Sequence, residues 1–323
     1  MEKSSVKSTP CRSIMSMETL SFNQPKFCPT AIWDTNGINF ADKTTVGSNP
    51  TGIFIDTNNT VYVPHGQNKQ ILVWFNGSNY PAKIISANIS NSRSIFVTNN
   101  GNIFIDNGEL NGRVDKWISN TNTFVNVMNV NASCRGLFVD INDTLYCSMY
   151  RHHQVVKRWM NDESMTSVIA AGTGKAGPGL NELNRPEGIF VDVNFDLYVA
   201  DCYNRRIQLF HSGESNGTTV AGESSPNRTI RLGCPTAIVL DAQKYLFIAD
   251  IVNDDYDRIV GSGPNGFQCL VGCNRWGSFS RELASPQTIS FDTYGNMFVT
   301  DSDHNRIQKF LSLENCCGKL RIV

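Results

Sequence analysis

Short apolar runs recur along the chain, and the same polar punctuation follows each of them. The best-formed unit runs from Asn184 to Phe210. Within it Gly188–Val191, Leu197–Ala200 and Ile207–Phe210 are rich in β-branched and aromatic residues, which predicts strands. Asp192-Val-Asn-Phe-Asp196 and Asp201-Cys-Tyr-Asn204 between them are turn sequences. Six gap-free copies of the first run occur: Gly52-Ile-Phe-Ile-Asp56, Ser94-Ile-Phe-Val-Thr98, Gly136-Leu-Phe-Val-Asp140, Gly188-Ile-Phe-Val-Asp192, Ala237-Ile-Val-Leu-Asp241 and Thr288-Ile-Ser-Phe-Asp292. A second run follows each copy, from Val61-Tyr-Val63 in the first unit to Met297-Phe-Val299 in the last. A third comes next, from Ile71-Leu-Val-Trp74 to Ile307-Gln-Lys-Phe310. A weaker fourth run, such as Lys83-Ile-Ile85 or Thr218-Thr-Val-Ala221, completes only the first five units.

Four strands repeated about every 40 to 50 residues predict an all-β, six-bladed β-propeller of antiparallel blades. The first strand is apolar at consecutive positions, as a strand buried on both faces requires. It opens with a small or modest residue in every unit (Gly52, Ser94, Gly136, Gly188, Ala237, Thr288), where the innermost strands crowd toward the axis. The sixth unit lacks an outer strand. Ala31-Ile-Trp33 and Ile38-Asn-Phe-Ala41 flank Asp34-Thr-Asn-Gly37, a hairpin signal. This hairpin is expected to supply the missing strand and close the ring, removing the open edges. A closed ring predicts a monomer. Residues 1–27 read as a polar, flexible leader, and 28–323 as a single propeller domain.

Composition narrows the function classes more than the fold. Over 323 residues, hydrophobic residues make up 40% and charged ones 18%, a globular composition. The net charge of −1 gives no global attraction to nucleic acid or anionic membrane. No apolar run approaches the roughly 20 residues that span a bilayer. The Ser/Thr/Lys/Glu-rich start has no apolar signal-peptide core, so the compartment stays open between an intracellular chain and one whose true N-terminus lies upstream. The ten cysteines form no pair of CxxC motifs, and no structural zinc site is indicated. Cys202 and Cys234 fall in neighbouring loops, Cys269 and Cys273 flank one outer strand, and ring closure would bring Cys28 near Cys316 and Cys317. N-glycosylation sequons occur at Asn58, Asn76, Asn88, Asn131, Asn142, Asn216 and Asn227, in a chain so rich in Asn, Ser and Thr that chance alone gives roughly five or six.

The pattern of Asp, turn, then Arg-Ile-Gln-x-Phe resembles the NHL repeat. It stands at Asp201 to Arg206-Ile-Gln-Leu-Phe210 and Asp301 to Arg306-Ile-Gln-Lys-Phe310. Asn184-Arg-Pro-Glu-Gly-Ile and Ser285-Pro-Gln-Thr-Ile resemble the opening of that repeat, and the likeness covers about residues 29 to 311. The Asp–Arg pair reads as a strut between second and third strands. Asp250 reaches Arg258 across a longer turn. Blades one and three depart, with His65/Gln70 and Met149/Gln154 at the pair positions. WD and kelch signatures are absent from the repeats.

The resemblance implies a scaffold whose activity must be argued from its loops. Loops from strand two to three, and from strand four to the next blade, share a face. On that face, over blades three to six, fall Arg151, His152, His153, Arg185, Tyr203, Asn204, Arg205, Arg275, Trp276 and His304, with Tyr150, Tyr256, Arg228 and Arg231 nearby. Arg, Tyr and Trp are the residues of protein-interface anchors. The first expectation is therefore a non-catalytic module that binds protein or peptide. NHL propellers of ubiquitin-ligase proteins offer a substrate- or RNA-recognition alternative, but their RING and B-box modules have no counterpart here, and net charge disfavours RNA. His65, His152 or His153, and His304 occupy equivalent turns, and a peptide-amidating lyase with an NHL-type propeller uses histidine-bound zinc. The supporting carboxylate pattern is missing, so no metal and no cofactor is expected. Asp254-Asp-Tyr-Asp257 and Asp301-Ser-Asp303 lack the closing Glu of an EF-hand loop, and Gly172-Thr-Gly-Lys175 lacks phosphate-loop spacing. No catalytic motif appears.

Overall fold

The computed structural model describes residues 20–28, 30–87, 89–162, 164–223, 225, 230–252, 257–273 and 281–313. These residues form six four-stranded antiparallel sheets arranged as a β-propeller. Blades one to five take their four strands in chain order from inside to outside, within residues 54–86, 95–129, 134–172, 186–222 and 234–271. Blade six has three strands within 286–310, and its outer strand is Ile38–Ala41.

Burial follows position in the blade. The second strands Leu197–Asp201 and Met297–Asp301 are buried at every residue, whereas the outer strand Lys83–Ser86 exposes three of its four. This gradient explains why the outer runs were the weakest in the sequence. An aspartate shapes the turn after the inner strand in five blades. Oδ1 of Asp56, Asp140, Asp192, Asp241 and Asp292 each accepts the amides two and four residues on, at 2.8–3.1 Å. Blade two has Thr98 in that place.

The small residues that open the inner strands are needed for contact between blades. A Cβ on Gly136 would stand 2.9 Å from the Glu187 carbonyl oxygen, and one on Gly188 2.7 Å from that of Thr236. Two residues further down the strand the constraint reverses. Phe54, Phe96, Phe138 and Phe190 form a chain of rings with centroids 5.0, 5.0 and 5.1 Å apart. The equivalent residues of blades five and six are Val239 and Ser290, which would leave the lumen unfilled on that side.

Residues 20–27, grouped on composition with a loose leader, fill that space. The Phe22 ring meets Phe96, Phe138 and Phe190 edge-on at 6.3, 5.5 and 5.5 Å. Asn23 Nδ2 donates to the carbonyls of Asp56 and Phe291, and Gln24 Nε2 to that of Asp241. Phe27 is buried among Trp33, Phe247 and Phe291. A channel volume of about 110 Å³ remains. Composition misled because two aromatic residues among many polar ones barely change an average.

Ring closure by the N-terminal segment holds, but a hairpin does not make it. Ile38, Asn39 and Ala41 pair with Lys309, Gln308 and Ile307, while Trp33 bridges to Ser312. Both halves of the expected hairpin therefore run along the same strand of blade six, with the bend at Asp34–Gly37 between them. The Asp34 amide donates to Leu311, and the Leu313 amide to Ile32, extending the ladder.

The Asp–Arg strut is present where the sequence placed it. Arg206 Nε lies 2.8 Å from Asp201 Oδ2, Arg306 Nε 2.6 Å from Asp301 Oδ2, and Arg258 Nη2 3.1 Å from Asp250 Oδ2. It does more than tie two strands. Arg206 also donates to the carbonyls of Pro178, Gly179 and Glu182, and Asp201 accepts the Asn184 amide, so the pair pins the loop that enters the blade. The departures keep the register, His65 facing Gln70 and Met149 facing Gln154.

Three disulfides join Cys134 to Cys147, Cys202 to Cys234 and Cys269 to Cys273. The first, between the inner and second strands of blade three, was not foreseen. Cys316 and Cys317, the expected partners of Cys28, lie outside the described residues, and within these Cys28 is a free thiol.

Candidate functional site

The loop face carries a recess of about 1110 Å³ over blades two to four. Its floor begins one residue before each inner strand opens. Read around the ring, those positions are Thr51, Arg93, Arg135, Glu187, Thr236 and Gln287. Three neighbours are charged and three are neutral, so the charge gathers on one side. Thr51 and Thr236 spend their hydroxyls on the carbonyls of Ser92 and Pro286. Beneath Arg93, buried Asp106 accepts the amides of Arg93 and Cys134 and the Ser133 hydroxyl. Burial raises that carboxyl to about 6, against the pull of its donors.

The walls come from two sets of loops, as the topology predicted. The turn between strands two and three of blade three supplies Tyr150, Arg151 and His153, and the loop from blade three to four supplies Arg185. Blade two adds Leu110, which is 88% exposed at the rim. Arg93, Arg135, Arg151, Arg185 and His153 line the recess.

These side chains are interlocked. The Arg135 guanidinium lies 4.4 Å from the centroid of the Tyr150 ring, and Arg185 lies 5.3 Å from the same ring and 4.1 Å from Tyr203. Arg185 Nη1 also donates to both tyrosine hydroxyls. Its backbone amide donates to His153 Nδ1 at 3.1 Å, which fixes the imidazole with that nitrogen unprotonated. Burial, and then the nearby Arg185 charge, hold His153 below the ordinary histidine range. Burial likewise raises the Tyr150 hydroxyl. Glu187 is 7% exposed, and Arg135 Nη1 is 3.4 Å from its carboxylate. Desolvation outweighs the Arg135 and Arg93 charges and raises Glu187 to about 7.

The backbone beneath these residues is unusual for their type. Arg185 has φ +55°, and of the five equivalent residues in the other blades Asn49, Asn91 and Ser285 are also at positive φ. Arg205 and His153 hold the left-handed position before the third strand that Asn305 holds in blade six and Lys69 in blade one. Asn is among the side chains that suit this conformation, whereas most other L residues lose of order 1 kcal/mol there.

Not every residue singled out from sequence belongs to the recess. Arg151, His153 and Arg185 line it, and Tyr203 joins through its contact with Arg185. His152 and Arg205 are exposed on the same turns. Asn204 is committed to the strut, donating to Gly177 O and Asp201 Oδ2. His304 stands in blade six with Nδ1 3.0 Å from Asp301 Oδ2, and His65 is buried in blade one. Arg275, Trp276, Arg228 and Tyr256 lie outside the described residues. Among the described residues, the recess takes its lining from blades two and three and the loop that enters blade four. Sequence reasoning missed Arg93, Arg135 and Glu187. Aligning the repeats by the residue before the inner strand would have exposed them. Among the described residues, no group of three or more His, Cys, Asp or Glu is arranged to hold a metal ion. No described helix is long and apolar enough to cross a membrane.

No family model and no curated relative matches the chain. Solved structures do match in fold. A protein of unknown function from Bacteroides thetaiotaomicron aligns with a TM-score of 0.65 at 12% identity, over 88% of this chain and 74% of its own. An auxiliary nutrient binding protein from the same organism aligns at 0.63 and 14%, over 91% and 76%. The virginiamycin B lyase of Staphylococcus aureus aligns at 0.57 and 12%, over 85% and 98%. At such identities the likeness is one of fold: the chain is a six-bladed β-propeller.

Proposed function

We propose that this chain is an NHL-type propeller that acts as a non-catalytic binding module, presenting its loop face over blades two to four to a protein or peptide. One observation carries the reading. Arg135, Tyr150, Arg185 and Tyr203 are stacked into a single rigid unit at the lip of an open recess, and Arg185 stands on a left-handed backbone position where three other blades place Asn or Ser. Its side chain is retained there against a local conformational cost, and it contributes to no strand, strut or core. A preformed Arg–Tyr cluster loses little side-chain entropy on binding, which is the property of interface hot spots.

The nutrient-binding propeller is compatible with this reading. The lyase likeness favours catalysis less, because the lumen carries phenylalanines and His65, His153 and His304 sit in turns of different blades. The three disulfides fit a chain that works in an oxidising compartment. Asn58, Asn76, Asn131, Asn142 and Asn216 are all exposed, and so accessible to glycosylation there.

Affinity capture with the intact protein tests the proposal. The double variant Arg185→Glu/Arg205→Glu is expected to lose the captured partner while melting within about 2 °C of the wild type. Unimpaired capture would sink the reading.

A further inference from the structure

We propose that the face bearing the closed mouth carries N-linked glycans at Asn58, Asn76, Asn142 and Asn216, so that the side of the propeller away from the recess is coated with sugar. This rests on the oxidising compartment inferred above and adds a covalent modification and its placement.

The four sequons share a face. Asn58 and Asn142 sit in the turns from inner to second strand of blades one and three, and Asn76 and Asn216 in the loops from third to outer strand of blades one and four. Loops of both kinds emerge on the side of Phe22, where Ile141 and Asp143, on either side of Asn142, line the mouth with it. Asn131, also an exposed sequon, lies instead on the loop face, beside Ala132 and Ser133 of the recess lining.

The four side chains are unused by the fold. All are exposed, and among the described residues none of their side-chain amides makes a hydrogen bond. Asparagines that serve the architecture behave differently. Asn59, next to Asn58, donates to Thr293 Oγ1 at 2.7 Å and accepts the Thr293 amide, tying blade one to blade six. Asn204 and Asn296 are held by Asp201 and Asp292.

The turns do not require the sequon either. The turn aspartate binds backbone amides two and four residues on, whatever side chains follow them. At the fourth place the other blades put Asn102, Asp196, Tyr245 and Asn296. Threonine stands there only as Thr60 and Thr144, and both times Asn precedes it by two. Bare apolar surface adjoins the same turns. Phe75, before Asn76, is 52% exposed, Tyr80 on the same loop 79%, and Ile141, before Asn142, 43%. A Cβ on Gly77 would meet no heavy atom within 4 Å, so the Asn76 turn stands clear of the body. Glycans there would lay the apolar faces of their sugars over these side chains and keep them from associating.

The donor is a lipid diphosphate-linked oligosaccharide. The Asn Nδ2 forms a bond to the anomeric carbon of the first N-acetylglucosamine. The bond from that carbon to the diphosphate oxygen breaks, the lipid diphosphate leaves with the electron pair, and the amide gives one proton to a base.

Peptide mapping of the full-length protein from its native source tests this, after digestion with peptide N-glycosidase in water enriched in heavy oxygen. The digestion converts each glycosylated Asn to heavy-oxygen Asp and leaves bare Asn unchanged. Label is expected at Asn58, Asn76, Asn142 and Asn216. No label, or label only at Asn88, Asn131 and Asn227, would overturn the proposal. A parallel map without reductant reports the disulfides. If Cys134–Cys147, Cys202–Cys234 and Cys269–Cys273 are intact while the four asparagines are bare, the oxidising compartment stands and glycosylation falls. If the six cysteines are free thiols and the asparagines bare, both fall.

Discussion

The two mouths of this propeller are opposites. One is closed by the chain itself, with Phe22 set among three lumen phenylalanines and Phe27 beneath blades five and six. The other is an open hollow lined by stacked and charged side chains. Apolar contacts decide the first, and electrostatics with preorganisation decide the second. The difference teaches where change is tolerated. Substitutions at the closed mouth should cost stability and leave binding intact, whereas those at the open mouth should do the reverse.

Phe27→Ala should break the closed mouth most severely. The ring is buried against three aromatic neighbours, and its loss is expected to cost about 3–5 kcal/mol in urea unfolding. A loss below about 1 kcal/mol would mean the segment merely rests on the ring. Phe22→Ala removes a half-buried ring and should cost about 1–2 kcal/mol. Its binding to any loop-face ligand should match the wild type, so a parallel loss of affinity would show that the two mouths are coupled.

Arg185→Asn sharpens the contrast from the other side. Asn suits the left-handed backbone there, so stability should change by less than about 0.5 kcal/mol or rise slightly. Affinity for the captured partner should fall tenfold or more. A clear drop in melting temperature would assign Arg185 a structural task instead.

Glu187→Gln gives the smallest and most pH-bound effect. The buried carboxyl is raised to about 7 from an ordinary glutamate value of 4.5. Its penalty is therefore absent in acid, where both folded and unfolded forms are protonated. It grows as pH rises from about 4.5 through 7, because only the unfolded form ionises freely. The Gln variant should melt a few degrees above wild type at pH 8 and with it at pH 4.5. Binding has the same window. Protonated Glu187 leaves the Arg135 charge uncompensated, so wild-type affinity for the captured partner should change a few-fold between pH 8 and pH 6. His153, held below its usual range by burial and Arg185, adds positive charge only at the acid end. In Glu187→Gln that change should vanish, and its persistence would move the cause to His153.

The architecture was legible because consecutive apolar residues in every inner strand leave few other places to bury both faces. The Asp201–Arg206 and Asp301–Arg306 struts were legible because their spacing repeats. The site was half legible. Arg151, His153, Arg185 and Tyr203 stand out as loop residues that break the repeat. Arg93, Arg135 and Glu187 do not, because each is hidden beside a small residue whose structural role is obvious. Phe22 and Phe27 were missed for the complementary reason. Their partners, Phe96, Phe138 and Phe190 for the one and Trp33, Phe247 and Phe291 for the other, are scattered along the chain and come together only once the blades are placed in space.

The stitching of the N-terminal segment across the ring has a consequence for biosynthesis. Asn23 donates to the Phe291 carbonyl 268 positions away, and Ile38 pairs with Lys309. At about 5–20 residues per second, a ribosome needs tens of seconds to deliver those partners after the early segment has emerged. Throughout that wait Phe22, Phe27 and Trp33 have no lumen to enter, and the first blade presents a bare flank. The first part of the propeller to be made is the last to find its place, so the ring spends most of its synthesis as an open, adhesive arc.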